Sequence, residues 1–266
     1  MFTILVEVCR GNNFVRGYKM NRHIITVEEN LSKTHEQMDR KDAICGIIFY
    51  VFYMAIVYLL GLLMFRTNIY VNLGRYFKSK SLFRLIFYIP NGLISILPIF
   101  IILRLKKQSI ASIGIKKEKI PKSIVLGVVG SMPFLLSNMA GAISSGMKLN
   151  PSIADNLWNL LYYLVCISLV EELVFRGFLN TRVRGLIKAG WINNIVVGIM
   201  FAILHIPFQM VKANMTPLNF ILHDFPHLIS TLLIHIYFVF LYTRDNNIIA
   251  PTIAHTIINF SYDIFV

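Results

Sequence analysis

A succession of apolar runs, each about as long as a bilayer is thick, limits the fold of this chain more than any other feature. A helix needs roughly 20 apolar residues to cross the hydrocarbon core. Ala43 to Phe65 is such a run, Leu85 to Leu103 a second, and Ile124 to Met147 a third. Leu157 to Leu179, Trp191 to Val211, Phe225 to Tyr242 and Ile248 to Phe265 follow. Pro90 and Pro98 predict a kink in the second. The Gly and Ser residues of the third predict close helix approach. The pattern predicts an all-α, polytopic integral membrane helical bundle of about seven transmembrane helices. Composition points the same way. Hydrophobic residues make up 56% of the chain and charged ones 15%, against roughly a quarter charged in a soluble domain. A soluble core of this size does not hide so much apolar surface, so lipid must be much of the solvent.

The flanks and loops set the organisation. Residues 1–41 are polar and mixed in charge and read as a flexible cytosolic extension. Residues 42–266 read as the transmembrane domain. Met1, Met20 and Met38 are each candidate starts, and Met38-Asp39-Arg40-Lys41-Asp42 resembles a charged leader ahead of a span. Phe2 to Val6 is too short for a signal peptide, so the first span is expected to serve as an uncleaved anchor. The formal net charge of +13 sits between the apolar runs. That placement argues for contact with anionic membrane lipids and against nucleic acid. Segments 1–41, 104–123, 180–190 and 243–247 hold 18 Lys and Arg, and segments 66–84, 148–156 and 212–224 hold 7. The count predicts a cytosolic N-terminus, with 66–84 dissenting. Cys9, Cys45 and Cys166 are scattered and lack a CxxC partner, which argues against a disulfide framework or a thiolate metal site.

The chemistry-bearing residues stand out because charged groups inside a span cost a few kcal/mol each. Val170-Glu171-Glu172-Leu173-Val174-Phe175-Arg176 places Glu172 and Arg176 one helical turn apart, so that they can pair. Glu171 points about 100° away, toward another neighbour. The competing structural reading is a plain ion pair near a helix end, which leaves Glu171 without a partner. The fifth run contains Phe201-Ala202-Ile203-Leu204-His205, and the seventh contains His255 and Asn259 on one face at i, i+4. Counting from the run ends, all three segments converge on a cavity open to the cytosolic leaflet. His223 and His227 read as interfacial. His235 reads either as a cavity residue or as a packing residue bonded to a carbonyl, and Cys166 as packing.

The three segments Glu171-Glu172-x-x-x-Arg176, Phe201-x-x-x-His205 and His255-x-x-x-Asn259 resemble the motifs of the CPBP (CAAX protease and bacteriocin-processing, also Abi) family of intramembrane endopeptidases. Asn246 to Asn259 is similar to the last core helix of that family, and the resemblance covers about residues 157–260. It implies hydrolysis of a peptide bond near the cytosolic membrane face. On this resemblance Glu171 is the general base that activates water with His205. His255 and Asn259 stabilise the oxyanion, Glu172 and Arg176 brace the first glutamate, and Phe201 packs beside His205. The chemistry is sensible on its own terms, because an apolar site makes a carboxylate a better base near neutral pH.

No cofactor is required by this reading. A zinc ion on Glu171, His205 and His255 is the alternative, since two imidazoles and a carboxylate can hold zinc. Asn259 suits hydrogen bonding better than metal ligation. The implied partners are membrane lipids and a peptide or membrane-protein substrate. The Ile-, Asn- and Lys-heavy usage points to a bacterial plasma membrane, where peptide processing or bacteriocin self-immunity is expected. A non-proteolytic scaffold that binds a partner, and a proton-coupled transporter, are the competing functions. The absence of an inverted repeat weighs against the second.

Overall fold

The computed structural model describes residues 38–266. Of the expected extension over 1–41, residues 1–37, with the starts at Met1 and Met20, lie outside the described residues. The first helix, α1 (Arg40–Phe65), begins three residues earlier than the apolar run. Asp39 accepts a hydrogen bond from the Asp42 amide (2.8 Å) and Asp42 accepts one from the Asp39 amide (3.1 Å). This reciprocal cap satisfies two helix-end donors. The charged leader read at Met38–Asp42 is therefore the N-terminal cap of α1.

The remaining helices are α2 (Ile69–Gly74), α3 (Lys80–Leu105), α4 (Ile120–Ser144), α5 (Ile153–Gly185), α6 (Gly190–Ala213), α7 (Pro217–His223), α8 (Phe225–Asp245) and α9 (Ile249–Asp263). Pro90 and Pro98 both lie inside an unbroken α3. Among the described residues, six helices (α1, α3, α4, α5, α6 and α8) are long and apolar enough to cross a membrane. The seventh apolar run departs from expectation. It forms α9 of 15 residues, about 22 Å long, which is short of a hydrocarbon core of roughly 30 Å. Polar anchors set both of its ends. Asn246 adopts a left-handed conformation (φ 47°) and Asn247 donates to the carbonyls of Lys116 and Glu118, both at 3.2 Å. At the other end Asp263 is paired with Arg84.

Polar networks tie the two ends of the bundle. At the Arg40 end, Asp42 accepts from Lys106 (2.7 Å) and Gln108 (3.0 Å), and Gln108 in turn accepts from buried Arg182 (2.8 Å). The hydrogen bond to Asp42 holds the Lys106 ammonium above its ordinary pKa. At the opposite end, Arg84 donates to Asp263 (2.6 Å) and Asn159 (2.8 Å), and the Tyr163 hydroxyl donates to Asp263 (2.9 Å). Between them, Phe49, Ile99, Phe175, Phe178, Leu179 and Phe201 form a buried core. Outward-facing Ile48, Val51, Leu59, Leu93 and Val129 are exposed, as lipid-facing positions should be.

α4 approaches α9 closely. A Cβ added at Gly127 would stand 2.6 Å from the Ala250 carbonyl oxygen, a contact that backbone cannot relieve cheaply. Gly127→Ala should therefore destabilise the protein by about 1–3 kcal/mol. Gly141 has open space around it, so Gly141→Ala should be neutral or slightly stabilising. Thermal unfolding in detergent checks the pair, and equal effects at the two sites would contradict the close approach.

Candidate active site

The site is organised by an irregularity in α5. Two widened π-type turns, Tyr162–Ser168 and Leu173–Leu179, flank the short regular stretch Leu169–Glu172. Such turns weaken the helical ladder and are kept mostly where function needs a particular side-chain direction. Here they bracket the two glutamates.

Glu172 is fully buried, and its Oε1 lies 2.9 Å from the Arg176 guanidinium. This is the one-turn ion pair expected from the spacing. The same oxygen accepts a hydrogen bond from Nδ1 of His255 on α9 at 2.9 Å. Glu172 thus braces a histidine on another helix, where the resemblance had it bracing Glu171. Arg176 is also fully buried. Its contact with Glu172 is an ion pair off the hydrogen-bonding line. The guanidinium stacks over Phe201 (4.4 Å) and Phe238 (5.0 Å), whose ring faces offset part of its lost hydration.

Glu171 is the more open carboxylate, with 16% of its side chain exposed, and its Oε2 lies 3.8 Å from His255 Nε2. The two glutamates therefore address opposite nitrogens of one imidazole. His205, on α6, gives its Nδ1 proton to the Phe201 carbonyl at 2.8 Å, which leaves Nε2 as the acceptor of the neutral ring. Phe201 also meets the His205 ring edge-on at 5.0 Å. This single aromatic residue positions both Arg176 and His205.

Glu171, Phe201, His205, His255 and Asn259 line one cavity of about 410 Å³. Glu172 and Arg176 stand behind its wall. The structure thus gathers all seven residues singled out in the sequence, five on the cavity and two behind it. The opening is at the end not expected. The walls beyond Glu171 include Tyr88, Tyr162, Gln209, His227, Ser230 and Tyr262, which lie toward the Arg84–Asp263 network. Toward the Asp42 network, the space is filled by buried Phe175, Phe178, Leu179 and Val183. The cavity therefore opens away from Arg40. Depth counted from the 157–179 run misled because α5 extends over 33 residues and its lower half is packed solid.

Two other histidines also differ from expectation. His227, read as interfacial, lines the cavity, with its ring centroid 6.2 Å from that of His205 and Nδ1 2.8 Å from Asp224 Oδ2. Its one sequence signal was the Asp224-x-x-His227 spacing at a helix start. His235 neither lines the cavity nor bonds a carbonyl. It is fully buried against Phe201, with both ring nitrogens lacking a hydrogen-bond partner. Cys166 lies on the cavity wall with its thiol 3.7 Å from the Leu85 carbonyl.

The zinc alternative can be tested on the donors themselves. Among the described residues no three of His, Cys, Asp and Glu come close enough to share one metal ion. His255 Nδ1 is already committed to Glu172, and Asn259 is a poor zinc ligand. The residues as arranged do not fit a zinc centre.

Comparison with known proteins supports the same segment. Residues 153–261 match the family model described as Type II CAAX prenyl endopeptidase Rce1-like. No curated protein and no solved structure matches the chain. The matched residues run from the start of α5 into α9 and contain all seven residues singled out in the sequence. Over residues 153–261 the chain therefore carries an Rce1-like domain of the CPBP/CAAX protease family, set in a polytopic helical membrane bundle.

Proposed function

We propose that this protein is an intramembrane endopeptidase that hydrolyses a peptide bond with water activated by Glu171 and His205. The observation that carries the reading is that two acceptors, Glu171 and His205 Nε2, line one cavity together with Asn259 and His255. A water held by both acceptors presents its oxygen lone pair to a substrate carbonyl. Glu171 takes one water proton as the C–O bond forms, then delivers it to the amide nitrogen as the C–N bond breaks. The Asn259 amide is a neutral donor for the oxyanion. His255, with Nδ1 committed to Glu172, can donate from Nε2 only as imidazolium. In that state Glu171, Glu172, Arg176 and His255 sum to zero charge, the least costly balance for a cavity within lipid.

The role assigned is processing of peptides or membrane proteins in a bacterial plasma membrane, with bacteriocin self-immunity one form of it. Basic residues favour the Arg40 end as cytosolic, by 18 to 7. The cavity then faces the extracytosolic half of the bilayer, and cleavage near the cytosolic face does not follow. Tyr262 is exposed on the rim. In a cysteine-free background, Tyr262→Cys should react with an impermeant maleimide in intact cells. Labelling that requires permeabilisation would reverse the orientation.

Proteolysis itself is tested by comparing membrane-peptide termini in cells carrying wild-type protein and Glu171→Ala at matched expression. New termini confined to the wild type would establish it and identify the bond. Identical termini, with the biological phenotype intact in the variant, would mean that the protein acts by binding a partner.

A further inference from the structure

His227 lines the cavity and faces His205, yet takes no part in the proton transfer through Glu171. Its setting is not that of an ordinary histidine at a helix start. Asp224 is the N-cap residue of α8, a position whose side chain usually accepts from backbone amides of the first turn. Here that side chain makes no such bond, and its Oδ2 lies 2.8 Å from His227 Nδ1 instead. The carboxylate therefore fixes the Nδ1 proton and leaves Nε2 as the acceptor of the neutral ring. His205 has the same tautomer, set by the Phe201 carbonyl. Two imidazoles with Nε2 as acceptor thus stand with ring centroids 6.2 Å apart, a gap that one water can bridge. Their surroundings differ. His205 is half-buried, whereas the His227 side chain is 54% exposed and meets bulk water at the rim.

Hydrolysis moves two protons of the attacking water, and Glu171 carries one. The other stays on the water oxygen as the C–O bond forms. It becomes the acidic proton of the product carboxyl group once the C–N bond breaks. Departure as a carboxylate needs a base, and the acceptor already turned to that hydrogen is His205 Nε2. His205 is then an imidazolium, and a cavity filled by peptide separates it from bulk water. A second turnover requires its Nε2 to be neutral again.

We propose that the Asp224–His227 pair is a proton relay that returns His205 to its neutral form after each cleavage. His227 Nε2 takes the proton from the His205 imidazolium through one bridging water. The Asp224 carboxylate balances the charge while His227 holds it. His227 then gives the proton to bulk water or to the departing amine, which leaves as an ammonium. The sum is one peptide bond and one water converted to a carboxylate and an ammonium, with no net proton on the protein. His227 acts through His205 and does not touch the cleaved bond. The relay rests on the endopeptidase reading and adds the step that resets its site.

The test uses full-length protein in phosphatidylcholine vesicles and a quenched fluorescent peptide spanning the bond found by terminus comparison. His227→Ala should lower kcat by about 10²-fold, the low end for a positioned proton-transfer group, with KM little changed. Because the relay acts after cleavage, product should appear as a single-turnover burst followed by a slow steady state. Added imidazole should restore most of the steady-state rate. Pyrazole, of the same shape but a far weaker base, should not, which separates proton transfer from repair of packing. Asp224→Asn should give a smaller loss of the same form, and unfolding temperatures check that each variant folds. A kcat in His227→Ala within about threefold of wild type, a first turnover slowed as much as the steady state, or equal rescue by pyrazole would overturn the relay. A wild type that cleaves the peptide no faster than Glu171→Gln would sink the endopeptidase reading and take the relay with it.

Discussion

Glutamine at position 171 should leave the fold intact and lower kcat for peptide-bond cleavage by about 10³-fold, the range contributed by a positioned general base. Glu171→Gln keeps the side-chain volume and can still hold a water by its amide oxygen, but it cannot take that water's proton. KM should change little, because the ground-state complex loses no more than one hydrogen bond. Folding should tolerate the change for a structural reason. Glu171 is the partly exposed carboxylate, and its nearest basic group is His255 at 3.8 Å, whereas Glu172 holds the short contacts to Arg176 and His255. Steady-state cleavage of one identified peptide, measured beside the unfolding temperature, checks both halves. A variant that retains more than a tenth of wild-type kcat would remove Glu171 from the role of base.

The second large effect is on stability and lies one turn further along α5. Arg176→Met should destabilise the protein by about 3–5 kcal/mol, because it leaves Glu172 charged, fully buried and without its cation. The loss should not be read as the strength of the ion pair. In the double variant Glu172→Leu with Arg176→Met no charge is stranded, and most of the stability should return. Activity should not return, because His255 loses the acceptor that fixes its Nδ1 proton. Unfolding in detergent and peptide cleavage, run on both single variants and the double, separate the two roles. A double variant as unstable as Arg176→Met alone would show that the guanidinium acts through its stacking on Phe201 and Phe238 rather than through charge.

Helix type was legible because lipid leaves a chain few options. Backbone groups in hydrocarbon must bond within their own segment, so each long apolar run had to be a helix. The exception, α9, shows where that logic stops. Its run is apolar enough to suggest a seventh span, but Asn246 turns left-handed, Asn247 and Asp263 are bound to other elements, and the helix is held to 15 residues. The site residues were legible for a related reason. A glutamate or histidine inside a span carries an insertion cost that packing alone does not repay, so Glu171, Glu172, Arg176, His205 and His255 announced themselves. His227 did not, because a histidine at a helix start near the headgroups is ordinary.

The partners of these residues belong to the tertiary structure. One-turn spacing on a single helix was enough to pair Glu172 with Arg176, since the helix repeat is fixed by backbone geometry. No spacing along the chain could reveal that Glu172 also holds His255, 83 residues away. That contact depends on how α5 and α9 dock and on the π-type turns that aim the glutamates. The direction of the cavity was likewise decided only by packing. Phe175, Phe178 and Leu179 fill one side of Glu171, and the tyrosine-lined side stays open. Local sequence thus determined the helices and the inventory of reactive groups, because solvent and backbone geometry act locally. Which imidazole each glutamate meets, and which end of the bundle admits a substrate, depended on side chains brought together from distant helices.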